Sequence, residues 1–148
     1  MEINKLNLFG AYLAIFILLT CCLIFIFRLN NQQVAEYWTG IAFIIAAVPL
    51  IYLLYTASHF ERPILYYVQL GVMLGFITVE LFLDYIFKVD FRHTKWMAIS
   101  YAMFFFAGTG GMIGIASLAR KSWSFISIIL FFMMGHLHLF NVLKQACK

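Results

Sequence analysis

Apolar residues run in long blocks along this chain, and polar residues are confined to short gaps between them. A membrane core of about 30 Å takes roughly 20 apolar residues in a helix, because lipid offers no partner to an unpaired backbone group. Five blocks reach that length and predict spans over about 7–27, 38–58, 63–87, 96–119 and 123–143. The gaps are Arg28 to Gln33, His59 to Arg62, a charged stretch from Lys88 to Lys95, and Arg120 to Ser122. The last gap is so short that the fourth and fifth spans must form a tight antiparallel hairpin. Pro63 suits the opening of the third span because a first helical position needs no N–H donor. Pro49, midway along the second, predicts a kink by removing one backbone bond.

Aromatic placement agrees with these limits. Trp38, Trp96 and Trp123 each fall at the start of a span, and Tyr66 and Tyr67 lie near the start of the third. Amphipathic rings prefer that headgroup level. The expected fold is all-α: a polytopic integral membrane helical bundle of about five transmembrane helices with very short loops, forming a single domain over 1–148.

Composition strengthens the picture. Of 148 residues, 65% are hydrophobic and 11% charged, whereas a water-soluble domain carries about 25% charged residues to cover its surface. The mean hydropathy is +0.96. The net charge of +4 comes from residues in the gaps, which reads as anchoring beside anionic headgroups and not as nucleic-acid binding. Lys5 ahead of the first block resembles the start of a signal peptide, but the block continues to Phe27 without a small-residue cleavage site. Leu19-Thr20-Cys21 is a poor lipoprotein signal because Thr20 precedes the cysteine, so the block is read as a true span. Cys21 and Cys22 sit within it as small hydrophobes, and with Cys147 they form no C-x-x-C pair.

With five spans the termini lie on opposite sides, A for the N-terminus and B for the C-terminus. Side A holds Lys5, Arg62, Arg120 and Lys121, and side B holds Arg28, Lys88, Arg92, Lys95, Lys144 and Lys148. The positive-inside rule then expects a cell-membrane protein with its N-terminus outside and its C-terminus cytoplasmic.

Helices in lipid gain little hydrophobic energy from touching, so small residues that allow close backbone approach mark candidate contact faces. Gly71 and Gly75 form one such spacing in the third span, and Gly110 and Gly114 another in the fourth. A smooth contact within or between chains is the first reading, and backbone lining a ligand path the second.

Ionisable groups inside a membrane are costly and tend to face a bundle interior. The candidates are Glu80 and Asp84 on the third span and His136 and His138 on the fifth. With a rise of about 1.5 Å per residue, Glu80 lies roughly 7–8 Å from mid-span toward side B, and the histidines fall at nearly the same level. At about 100° per residue, Gln69, Met73, Phe76, Glu80 and Asp84 form one mixed stripe, largely apart from Gly71 and Gly75. His136 and His138 are about 200° apart, so one faces the bundle and the other faces away. Asn141 lies on the side of His138. These positions predict that Glu80 meets His138 in a polar cavity opening to side B. Asp84 and Asn141 would line its mouth, with Gln69 on the same interior face and Arg28 or Lys88 neutralising Asp84. Asp84 with Lys88 is also an ordinary i,i+4 pair.

No known chemical signature matches. Glu80, Asp84 and one histidine would supply three metal ligands, but the histidine spacing is no metal motif. A bis-histidine haem needs partners at matching depth, and His59 and His93 lie at opposite edges. A phosphate-binding glycine loop, a nucleophile elbow and H-E-x-x-H are missing from the sequence, so no metal or other cofactor is expected. The leading expectation is a small membrane protein for proton- or cation-linked transport or small-ligand binding, since a buried carboxylate beside an imidazole can exchange a proton near neutral pH. The alternatives are a non-catalytic accessory or scaffold subunit, and a membrane enzyme using Glu80 and His138 on a lipid-soluble substrate. The expected partners are membrane lipids and either further copies of the chain or other membrane subunits, with no nucleic acid.

Overall fold

Polar gaps every twenty-odd residues divide the chain into rods, and the computed structural model describes residues 3–87 and 95–146 of them. Among the described residues, five helices are long and apolar enough to cross a membrane. We label them α1 (Ile3–Leu29), α2 (Gln33–Phe60), α3 (Ile64–Ile86), α4 (Lys95–Ser117) and α5 (Lys121–Ala146). Most run a few residues beyond the apolar blocks, because hydropathy marks only the greasy stretch while the backbone hydrogen-bond ladder continues past it. The stretch 88–94, with Lys88 and Arg92, lies outside the described residues, and so does the Asp84–Lys88 pair.

Two of the turns are closed by the same device. Asn31 adopts φ 55° and Glu61 φ 46°, both left-handed. Gln32 N–H then reaches back to Phe27 O at 2.9 Å, and Arg62 N–H to Ala57 O at 3.4 Å. A left-handed residue just past the helix with a six-to-one bond satisfies carbonyls that would otherwise be orphaned. Neither position is glycine. Asn31 pays little for this geometry, since its short polar side chain tolerates it.

Pro49 acts where its chemistry dictates. It cannot donate to Ile45 O and its ring crowds that carbonyl, and α2 is accordingly interrupted at Ala46, between the segments Gln33–Ile45 and Ala47–Ala57. Ala46 N–H bonds instead to Phe43 O at 3.1 Å, tightening the last turn before the break. Pro63 stands just outside α3 as its N-cap, with extended backbone, and the helix starts at Ile64.

α1 forms the centre. It packs against α2, α4 and α5, while α3 closes the ring between α2 and α4. Of its most apolar stretch 56% is buried by the rest of the chain, against 17% for α5. Leu6, Ile17 and Leu18 of α1 are fully buried, as are Leu50 and Leu53 of α2, Met73 of α3 and Met134 of α5. α1 and α5 are tied by polar contacts along their length. The Cys22 thiol lies 3.6 Å from Leu130 O, and Lys144 Nζ donates to Leu29 O at 2.6 Å. A cation on the last carbonyls of α1 also complements the negative end of its dipole.

Candidate functional site

The mixed stripe of α3 does two jobs, divided between its ends. In its first half it is a helix contact. A Cβ added to Gly108 of α4 would lie 3.4 Å from the Cα of Met73 and 3.6 Å from the Cβ of Phe76, and one on Gly111 would lie 3.4 Å from Gln69. The side-chain amide of Gln69 fills the space over Gly114. Gln69 therefore packs against the glycine face of α4 and does not line the polar interior expected for it. The glycine pattern is also redistributed. Gly71 faces open space, with nothing within 4 Å, so it forms no contact inside the chain; Gly75 meets Phe104, and Gly110 meets Phe131 of α5. The close α3–α4 approach uses Gly108, Gly111 and Gly114, a spacing of three that places all of them along one side of α4.

In its second half the stripe enters a cavity. Regular α-helix ends at Glu80, and Leu81–Ile86 form a π-helical segment. Its wide turn is closed by Phe87 N–H bonding to Phe82 O at 2.8 Å. Glu80 and Asp84 are expected from the sequence to serve one cavity, with Asp84 at its mouth one turn further toward side B. Glu80 lines the cavity and Asp84 does not. The π segment is held to α2 by Tyr85, whose hydroxyl donates to Tyr37 O at 3.3 Å and sits where a side chain on Gly40 would be. A π segment of this kind is often found at functional sites.

The cavity has a volume of about 30 Å³ and draws residues from all five helices. Its polar groups are Glu80, Tyr101, His138, Arg28 and the Cys21 thiol, set in a wall that includes Phe25, Phe76 and Phe105. Tyr101 Oη donates a short hydrogen bond to Glu80 Oε2. His138 lies edge-on to Phe25 and Phe106, with ring centroids at 5.3 and 5.6 Å, and is tilted over Phe105 at 6.3 Å. Arg28, in the last turn of α1, bounds the cavity toward side B. Its guanidinium is engaged by Glu36 at the start of α2, with Nη2–Oε1 at 2.6 Å and Nε–Oε1 at 2.7 Å. The expected pairing of Arg28 with Asp84 is thus replaced by a pair across the first turn. The pair is partly buried, with 22% and 25% of the two side chains exposed, and it fixes the guanidinium at the rim of the cavity.

Two further residues sit apart from the cavity. Asn141 is buried and donates through Nδ2 to Phe25 O at 3.2 Å and Leu137 O at 3.0 Å. It clamps α5 to α1 and does not line a mouth. Asn141→Leu is expected to cost about 0.6 kcal/mol, the usual size of an interhelical hydrogen bond in membranes, read as a small fall in unfolding free energy in detergent. A loss above about 2 kcal/mol would mean that it holds more than these bonds. His136 is exposed on the outer face of α5, edge-on to Phe140 at 4.9 Å.

Tyr101 and Cys21 were not singled out by sequence reasoning. For Tyr101 a signal exists: it stands five residues into the fourth span from side B, and Glu80 stands seven residues before the third span ends there. The two depths agree, and a phenol at the depth of a buried acid is a candidate donor. Cys21 carries no such signal, because a thiol in an apolar block reads as packing. Among the described residues no three His, Cys, Asp or Glu side chains converge to hold a metal ion. No protein-family model, curated protein or solved structure matches the chain.

Proposed function

We propose that the chain is a multi-pass integral membrane protein whose Glu80–Tyr101–His138 cavity binds a proton and passes it on, as part of proton-linked transport. Membrane insertion is supported by the outer faces, where Val48, Met103 and Phe132 are 69%, 70% and 71% exposed. Exposed apolar rods of this length, with backbone groups satisfied within each helix, suit hydrocarbon and not water. The excess of basic residues on side B supports a cytoplasmic C-terminus in the cell membrane.

One observation carries the proton reading: a carboxyl, a phenol and an imidazole line one small cavity in an aromatic wall. About 30 Å³ admits a water molecule, whereas organic ligands occupy sites of about 300–1,000 Å³. Water between Glu80 and His138 gives a proton a path from one to the other. Tyr101 steadies the ionised carboxylate by donation and rotates to accept when Glu80 is protonated, since a hydroxyl serves in both senses. The test is proton influx into liposomes carrying a trapped pH dye, driven by a potassium diffusion potential. Wild-type protein is expected to acidify the lumen and Glu80→Gln to give the trace of protein-free vesicles; equal influx for both sinks the reading.

His136 favours a second feature, association through α5. An imidazole at this depth on an outward face is costly against acyl chains, and the face beside it is apolar, with Phe132, Leu139 and Phe140 exposed. A second copy or another membrane subunit covering this face removes that cost. His136→Trp is expected to shift the detergent-solubilised protein to a smaller particle by light scattering. An unchanged mass for both forms, equal to one chain, removes the support for this contact.

A further inference from the structure

On side A, well away from Glu80, a basin of about 510 Å³ opens between the start of α1 and the α4–α5 turn, lined by Asn4, Asn7, Leu8, Ala119, Arg120 and Trp123. We propose that this basin binds a phosphate-bearing anion, the headgroup of an acidic phospholipid being the source that its position at the membrane edge supplies. The inference uses the membrane placement argued above and is independent of the proton reading.

The donor and acceptor character of the lining carries the argument. Asn7 is oriented from behind by Arg62, whose Nη2 donates a short hydrogen bond to the Asn7 side-chain oxygen. Guanidinium has donors only, so the atom facing it must be the oxygen. The Asn7 amide therefore turns its two N–H donors away from Arg62. Trp123 has a donor and no acceptor, and Arg120 has donors alone. None of the six lining residues is acidic. With Arg120 as the charged member of this lining, the basin suits a ligand rich in acceptors and negative in charge.

Asn4 belongs to the first turn of α1, Trp123 to the first turn of α5, and neither turn contains an acid. The positive end of the α5 dipole lies at the basin, its Trp123 and Ser124 N–H groups bonding to Arg120 O, and the carbonyl end of α4 at Ser117 lies at the same turn. Arg62 lies behind Asn7, stacked at 5.1 Å over Tyr66 with its Nε buried and without a hydrogen-bond partner among the described residues. Its charge is fixed there by Asn7 and Tyr66, and it reinforces the field in the basin without entering it. Trp123 itself is anchored by an edge contact with Tyr12 at 4.8 Å, so that donor is held in place.

Two substitutions separate recognition from structure. Arg120→Gln removes charge from an exposed side chain. Asn7→Asp keeps the oxygen that Arg62 needs while replacing the Nδ2 donors by negative charge. The protein is placed in phosphatidylcholine nanodiscs with a minority of phosphatidylglycerol, and retained lipids are counted by native mass spectrometry; a second arm titrates inorganic phosphate into protein in pure phosphatidylcholine discs. Wild type is expected to retain phosphatidylglycerol selectively, and each variant to weaken that retention about ten-fold or more, the size of a lost hydrogen bond to a charged group. Phosphate binding that both variants abolish, without lipid selectivity, would assign the site to a soluble anion of the same chemistry. Equal retention by wild type and both variants, with no phosphate binding, overturns the proposal. Proton influx unchanged in Arg120→Gln keeps this result distinct from the fate of the Glu80 reading.

Discussion

Gly108→Leu is expected to destabilise the bundle by about 3 kcal/mol, the upper range for forcing a side chain into a packed contact. The cause is the backbone of α3. A Cβ at position 108 would already stand 3.4 Å from the Cα of Met73 and 3.2 Å from its sulfur. Alanine fits with a small movement of the flexible thioether, and Gly108→Ala should cost well under half as much. Leucine places three more carbons where Met73 and Phe76 lie, both fully or nearly fully buried, so the helices must separate. Glu80 follows Phe76 by one turn on the same face, and separation therefore also opens the Glu80–Tyr101 contact. Gly71→Leu provides the contrast: with nothing within 4 Å of it, it should leave the stability of the single chain unchanged. Unfolding in detergent by intrinsic fluorescence measures all three. A large loss at Gly71 together with tolerance at Gly108 would reverse the assignment of the contact face.

That contrast shows where the sequence is readable and where it is not. The blocks of apolar residues locate five helices because the requirement is crude, a length and a lack of charge, and no neighbour can change it. Depth along a helix is nearly as simple. A fixed rise per residue places Glu80 and His138 at one level, and in the structure both line one cavity. Direction around the helix is less secure, since it accumulates error with every residue. Gln69 shares the angular position of Glu80 but meets α4 at Gly111 and Gly114, so the neighbour, not the stripe, decides that it packs. Asn141 shares the side of His138 but finds carbonyls of Phe25 and Leu137 within reach. The change to a π-helix after Glu80 has no residue signature at all: Leu81–Ile86 reads as ordinary helix, and Asp84 within it does not line the cavity that Glu80 lines. At Gly71 the spacing is present but no part of the described chain meets it, because a contact face needs a partner surface that no single helix contains.

Glu80→Gln is expected to abolish proton influx while changing stability by no more than about 1 kcal/mol, the net worth of an ordinary hydrogen bond. The two halves of that statement have different causes. Glutamine has nearly the shape of glutamate, and its side-chain oxygen can still accept from the Tyr101 hydroxyl, so the contact that joins α3 to α4 at this level survives in weaker form. What glutamine cannot do is take up and release a proton, and a cavity of about 30 Å³ has no room for a second acid to take over. Tyr101→Phe supplies the complementary result. It leaves the carboxyl titratable and removes a donor that steadies its charge, for which influx should fall about ten-fold, matching the loss of one charge-assisted hydrogen bond. His138→Phe keeps an aromatic ring among Phe25, Phe105 and Phe106 and removes the second proton-carrying group, and influx should again reach the level of empty vesicles. A merely structural pair predicts another order: Tyr101→Phe and Glu80→Gln would lower stability together, and influx would follow the amount of folded protein. The ratio of influx to folded protein across the three variants decides between them.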